Sequence, residues 1–376
     1  MEKNRLKIVV LILAFCLTVK AEEKQLIPVN ISFMEALAPK DTTSSERFQK
    51  EYEFAIQTGK SLTDEKLKKC GYKINEEKVL YDASDNLQAM EQAKNLEAGG
   101  SWLIVGPRRS NHYLLAVRGA SSTPSVSIMA SANEVFELGT LHLTLAHPNK
   151  RMAEVLAKQT LKKIKGKKGS YISVVSEDCV SCVDLAKNFD HFAKVLGLKK
   201  IHELKIVGEQ PDLSSLEKII KNKKTDFLLL PNYSIVSAYV MGSAFKWNSN
   251  LYFVGGDGWG DAMYGFVHKS PQLTSVSGIT VKSFPPADKG LEYFELGKVI
   301  LKNPDRTASF PKSGSAQALL KTIEGISDIL CKYKPKDKSE FVKIFKSNGT
   351  KYFNNPWGVS VYKLSQGEII FEKTVK

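Results

Sequence analysis

The sequence predicts an α/β fold of two similar lobes, each a parallel sheet flanked by helices. Short β-rich runs alternate with helical patterns from Ile27 onward, and the alternation comes in two series of similar size. Several central runs are apolar without polar interruption. A strand covered on both faces has no solvent side to show, so such runs belong in the middle of a sheet.

Each element has its own warrant. "IPVNISFM", "KVLYDAS", "SWLIVGP" and "TPSVSIM" are the strands of the first series, which covers roughly residues 27 to 146. Between them, Ala89, Met90, Ala93 and Leu96 recur at the spacing of one helix face. The second series starts near His147 with a helix and continues through "SYISVVS", "KIHELKI", "DFLLLPN" and "LYFVGGD". Its helix "CVDLAKNFDHFAKVLG" ends on a glycine stop signal. Beyond "KSFPPADKG" lie a helical region that includes "SAQALLKTIEGISDILCKY" and then "GVSVYKLSQGEIIFEKTV", which reads as a terminal hairpin. Segments outside both series imply that the chain crosses between lobes more than once.

The N-terminus "MEKNRLKIVVLILAFCLTVKAEEK" has a positive start, an apolar run from Ile8 to Val19 and small residues at Val19 and Ala21. This is the pattern of a secretory signal peptide cleaved after Ala21, so the protein is expected in the periplasm. The run is too short for an ordinary membrane span. Phe15 stands before Cys16 where a lipoprotein signal wants a small residue, so lipidation is not expected. Loss of residues 1 to 21 lowers the formal charge from +14 to about +11. Lysine-rich surface segments such as "KKIKGKKG" account for the excess better than nucleic acid does, because aromatic and basic residues do not interleave.

Four cysteines remain: Cys70, Cys179, Cys182 and Cys331. In an oxidising compartment they permit two disulfides in three connectivities. The pair Cys179 and Cys182 has the spacing of a local disulfide and also of a thiol redox motif, though without thioredoxin-like surroundings; free thiols stay open. The six histidines show no metal-site spacing, and no G-x-S-x-G elbow or P-loop is present. Neither catalysis nor a cofactor or metal is therefore expected.

Open parallel sheets bind ligands beyond the carboxyl ends of their strands. In the first series those ends carry Ser110, within "GPRRS", and Ser131, within "MASANE". Hydroxyls and backbone N–H groups converge there, as a carboxylate requires. Each serine also has a purely structural reading: Ser131 with Glu134 spells a capping box, and Ser110 fits an N-cap. In the second series Tyr233 follows one strand and Asp257 lies among the glycines of "GGDGWG" after the next. An acid there suits an ammonium group, although Asp-Gly is also a common turn. Two anion-holding positions in one lobe facing an acid and a tyrosine in the other match the two charges of an α-amino acid.

These motifs resemble those of type 1 periplasmic binding proteins, in particular the leucine/isoleucine/valine-binding branch of ABC transporter substrate-binding proteins. The resemblance runs from Ile27 to the C-terminus through "LYDASDNLQAMEQAKNL", "LIVGPRRS", "TPSVSIMASANEV", "TDFLLLPNYS", "LYFVGGDGW" and "NNPWGVSVYKLSQGEI". It implies that Ser110, Met129 and Ser131 hold the ligand carboxylate, that Asp257 pairs with the ammonium, and that Tyr233 lines the same wall. It further implies a hinge of three crossovers, with lobe one at 27–147 plus 284–354 and lobe two at 148–283 plus 355–376. The expected function is capture of an amino acid or related small polar ligand and delivery to the membrane permease of an ABC importer, by a monomer. The alternative is a periplasmic sensor signalling to a receptor or kinase, with an amide-type or other ligand. "CVSC" replaces the family's aromatic-glycine pair, so a stacking contact near Val180 or Ser181 is lost. Arg108 stands where the branched-chain binders have an apolar contact. Pointing into the cleft it favours an acidic or polar ligand; pointing out it is one more surface charge.

Overall fold

The computed structural model describes residues 25–37, 43–164, 169–222, 225–260 and 275–376. The expected signal segment, with Cys16, lies outside the described residues. Among the described residues no helix is long and apolar enough to cross a membrane.

Two sheets form. The first has the order β2-β1-β3-β4-β5, from β1 (Ile27–Leu37), β2 (Tyr72–Asp82), β3 (Leu103–Val105), β4 (Ser125–Ser127) and β5 (His142–Thr144). All its pairings are parallel. The second has the order β12-β11-β10-β9-β8-β6-β7, from β6 (Ser170–Ser176), β7 (Lys199–Ile206), β8 (Phe227–Leu230), β9 (Tyr252–Gly255), β10 (Ser277–Lys282), β11 (Val359–Ser365) and β12 (Glu368–Val375). Its strands are parallel except for the β11–β12 hairpin, which joins β10 antiparallel.

Side-chain chemistry explains which strand lies where. Every residue of "FLLL" in β8 is buried, and β8 sits mid-sheet. Three of the four edge strands, β2, β7 and β12, have many open positions and carry most of the strands' charged residues, while the fourth, β5, is short. The sequence pattern missed β5 and β10, whose short or glycine-bearing runs offer little periodicity.

The helices follow as α1 (Thr43–Cys70), α2 (Asn86–Ala98), α3 (Ser110–Gly119), α4 (Asn149–Lys163), α5 (Val180–Val195), α6 (Ser214–Asn222) and α7 (Ser234–Trp247). After β10 come α8 (Ala287–Gly290), α9 (Glu295–Leu301), α10 (Pro304–Ser309), α11 (Gly314–Tyr333) and α12 (Lys338–Tyr352). Helix α2 starts on Asp85, whose carboxylate accepts from Leu87 N, and buries Ala89, Ala93 and Leu96. Met90 departs from the expected face: it is 38% exposed, since two adjacent residues on a helix point about 100° apart.

One core joins β1, β3 and β4 with α1, α11 and α12. Two further cores cover the faces of the second sheet, with α4 and α5 on one side and α6 and α7 on the other. The chain thus passes from the first sheet to the second between β5 and α4, returns between β10 and α8, and crosses again between α12 and β11. Three crossovers thus join the two lobes. Disulfides join Cys70 to Cys331 and Cys179 to Cys182. The first ties α1 to α11 at the end of the lobe remote from the strands' carboxyl ends.

Candidate functional site

The lobes meet at the carboxyl ends of their strands. After β3 the chain turns through Gly106, at φ +100° and so close to the Met34 carbonyl that a Cβ would collide with it. A cis Gly106–Pro107 bond follows, then Arg108 and Arg109, and α3 opens at Ser110. After β4, Ser127 Oγ donates to the Pro107 carbonyl at 2.7 Å and accepts from Ala130 N at 3.0 Å, holding the two loops together.

Neither serine acts as a helix cap. Arg109 occupies the N-cap of α3, so Ser110 is already the first helical residue. The 3-10 turn Asn133–Glu137 starts after Ala132, with no side-chain cap, and the expected Ser131 capping box does not form. Instead Ser110 Oγ accepts from the N–H groups of Ser131 and Ala132, both at 3.1 Å. Its own O–H remains available as a donor. Both serines are buried. Met129 turns its side chain towards α11, with Ser315 Oγ 2.9 Å from its sulfur, and its N–H faces Ser127 Oγ at 3.4 Å.

Across the cleft, Asp257 follows β9 on a loop pinned by Trp259. The buried indole donates from Nε1 to the Leu230 carbonyl and to Ser237 Oγ, each at 3.0 Å. Gly255 is required beneath it, because a Cβ there would enter the indole ring. Ser234 Oγ donates to the Gly258 carbonyl and accepts from Gly260 N, both at 2.8 Å. Ser131 of the opposite lobe stands near enough to Asp257 for its hydroxyl to favour the ionised carboxylate. Partial burial raises the pKa of Asp257 to about 6, against the lowering effects of Ser131 and of Lys282. Tyr233 stands at the N-cap of α7, and the Arg109 guanidinium approaches its ring to 5.2 Å from the centroid. Ser110, Ser131, Tyr233 and Asp257 are therefore brought to one place.

Arg108 takes a different course. Its Nε lies 3.3 Å from the buried Glu35 carboxylate, and its guanidinium lies 3.5 Å from the Phe48 ring centroid. Burial raises the pKa of Glu35, while Arg108 and then Arg109 oppose the shift. Behind this pair, Tyr81 bonds the His112 ring at 3.1 Å. Burial, followed by the charge of Arg109, lowers the pKa of His112 to about 4, so the ring is neutral at ordinary pH.

A second link between lobes was absent from the sequence reading. Asp184 on α5 accepts from Asn133 N at 2.8 Å and Asn133 Nδ2 at 3.2 Å, and from Asn149 Nδ2 at 3.0 Å. Val180, where a ligand-stacking side chain was expected to be missing, is 38% exposed, and the Ser181 carbonyl accepts from Asn149. Glu35 had left a signal, an acid inside the apolar run "NISFMEALA". No group of metal-binding side chains occurs among the described residues.

No protein-family model matches the chain. A stretch of 172 residues is 28% identical to Leu/Ile/Val-binding protein homolog 7 of Brucella suis biovar 1 (strain 1330), and covers 43% of this chain and 43% of that protein. The chain thus matches less than half the length of that curated relative. Among solved structures, the leucine-binding protein LivK of Thermotoga maritima MSB8 superposes with a TM-score of 0.74 at 15% identity, over 93% of this chain and 99% of that one. An ABC transporter solute-binding protein of R. palustris, in complex with benzoate, gives a TM-score of 0.68 at 12% identity, over 93% and 96%. The two mostly parallel sheets, the three crossovers and a superposition over 93% of the chain agree: the chain has the type 1 periplasmic binding protein fold, the architecture of ABC transporter substrate-binding proteins.

Proposed function

We propose that this chain is a periplasmic solute-binding protein that captures an amino acid or related small polar molecule between its lobes and presents the closed form to the permease of an ABC importer. The observation that supports the reading is the approach of Ser131, on the loop held by Ser110, to Asp257 of the other lobe, a hydroxyl facing an acid across the cleft. A zwitterion inserted there gives each partner a better match: its carboxylate accepts from the Ser110 and Ser131 hydroxyls, and its ammonium donates to Asp257. Contacts to both lobes at once select the closed state, and the function requires no covalent chemistry. The rigid lobes on this reading are 27–147 with 284–354 and 148–283 with 355–376, residues 1–21 direct export and are removed, and the protein works as a monomer.

The test is thermal unfolding of refolded, ligand-stripped protein against amino acids, amides and small carboxylates, benzoate included. Ligand at one hundred times its dissociation constant adds about 2.7 kcal/mol, which shifts the midpoint visibly. Asp257→Ala is expected to weaken an ammonium-bearing ligand at least tenfold, about 1.4 kcal/mol. No shift with any compound would sink the solute-binding reading. An unchanged affinity in Asp257→Ala would remove Asp257 from the site.

A further inference from the structure

Two arginines stand side by side at the end of β3, and their surroundings differ. Arg108 is neutralised by Glu35 and lies flat on Phe48, both in its own lobe. Arg109 reaches the other way, into the cleft, where its guanidinium meets the Tyr233 ring of the opposite lobe. Its charge is felt by Glu35 and by His112. Yet among the described residues no carboxylate lies within ion-pair distance of Arg109, and Glu35 already serves Arg108. Among the described residues, Arg109 is thus a cation of the cleft without an acid that balances it. Asp257 lies near Ser131 and within the field of Lys282, and His112 is buried and neutral.

We propose that Arg109 is the residue that selects the ligand's side chain, and that this ligand is an acidic α-amino acid whose second carboxylate pairs with Arg109. The proposal rests on the amino-acid reading of the cleft and deepens it. With the α-carboxylate at Ser110 and Ser131 and the ammonium at Asp257, the side chain must lie against the remaining wall, where Arg109 and Tyr233 stand. An aliphatic side chain there would strip water from a half-buried guanidinium and return nothing. A carboxylate matches the planar fork with two charge-assisted hydrogen bonds. Tyr233, under the guanidinium, holds it in place by a cation–π contact.

The experiment uses isosteric pairs: calorimetric titration of stripped protein with L-glutamate against L-glutamine, L-aspartate against L-asparagine, and L-leucine. Wild type is expected to prefer at least one acid over its amide by tenfold or more. Arg109→Gln is expected to abolish that preference, and Arg109→Lys to retain part of it, with unchanged circular dichroism in both. Equal binding of acid and amide, a preference for leucine, or an Arg109→Gln variant that weakens every ligand alike would overturn the proposal and leave the solute-binding reading standing. No binding by any of the five, nor by any member of the wider panel, would overturn both.

Discussion

Acidification is expected to weaken ligand binding through Asp257. Partial burial of its carboxyl holds its pKa at about 6 against the opposing pull of the Ser131 hydroxyl, Lys282 and the Gly258 N–H. An ammonium ligand needs the ionised form. Taking that pKa, about nine-tenths of the ligand-free protein is ionised at pH 7 and about one-tenth at pH 5, so affinity falls roughly tenfold, or about 1.4 kcal/mol. Ligand carboxylates stay ionised above pH 5, and His112, with its pKa lowered to about 4, stays neutral throughout the window. Calorimetry in buffers of different ionisation enthalpy, at pH 5, 6 and 7, measures both the affinity and the proton released as the ammonium displaces it. The ligand-free protein follows the opposite trend. Asp257 holds its proton more tightly in the folded cleft than in the unfolded chain, so its contribution to stability is lost as pH rises through about 6 and gained as pH falls towards the ordinary carboxylate range. Affinity that is flat from pH 5 to 7, or an acid-weakening that survives in Asp257→Asn, would refute the reasoning.

The other expectations concern closure and the frame. Asp184→Ala removes the acceptor that binds Asn133 twice across the cleft, each bond to a charged group being worth about 1.5–3 kcal/mol. Small-angle scattering of the ligand-free variant should show a larger radius of gyration than the parent; identical profiles would remove Asp184 from the closure contacts. Replacing both Cys70 and Cys331 by serine opens a covalent loop of 261 residues, for which chain entropy sets a loss of up to roughly 5 kcal/mol. Denaturant titration should show the lower midpoint, with ligand affinity retained, because both cysteines lie at the end of lobe one remote from the cleft. A loss below about 1 kcal/mol would show that packing of α1 on α11 supplies the stability without the bond.

The fold was legible because its signals are local. The central strands of both sheets are apolar runs whose two faces are covered by helices, and the order of such runs implies parallel pairing. What failed was also local: β5 and β10 are brief or carry glycine, and Met90 sits next to, not on, the buried face of α2. The candidate site divides along the same line. Ser110, Ser131, Tyr233 and Asp257 could be named as candidates because the ends of parallel strands are where a sheet presents side chains to a ligand. Whether the serines cap their helices was not visible, since it depends on where α3 begins and on the N–H groups of Ser131 and Ala132 turning to Ser110.

The contacts that give the cleft its character join residues far apart in sequence, and no periodicity encodes them. Asn133 and Asp184 stand 51 positions apart and meet only when the lobes do. The two arginines show the same limit. In sequence they are adjacent and chemically identical, and only Arg108 falls where the family resemblance implies an apolar contact. Glu35, in a strand more than seventy positions earlier, decides between them: it neutralises Arg108 and leaves its neighbour facing Tyr233. Replacing Glu35 by glutamine would thus leave two unbalanced cations beside one cleft, strengthening any anion's hold while loosening its geometry. On the proposed acidic-ligand reading, ligand charge is set by an acid that need not touch the ligand, and calorimetry of Glu35→Gln that leaves the acid-over-amide preference unchanged would refute this.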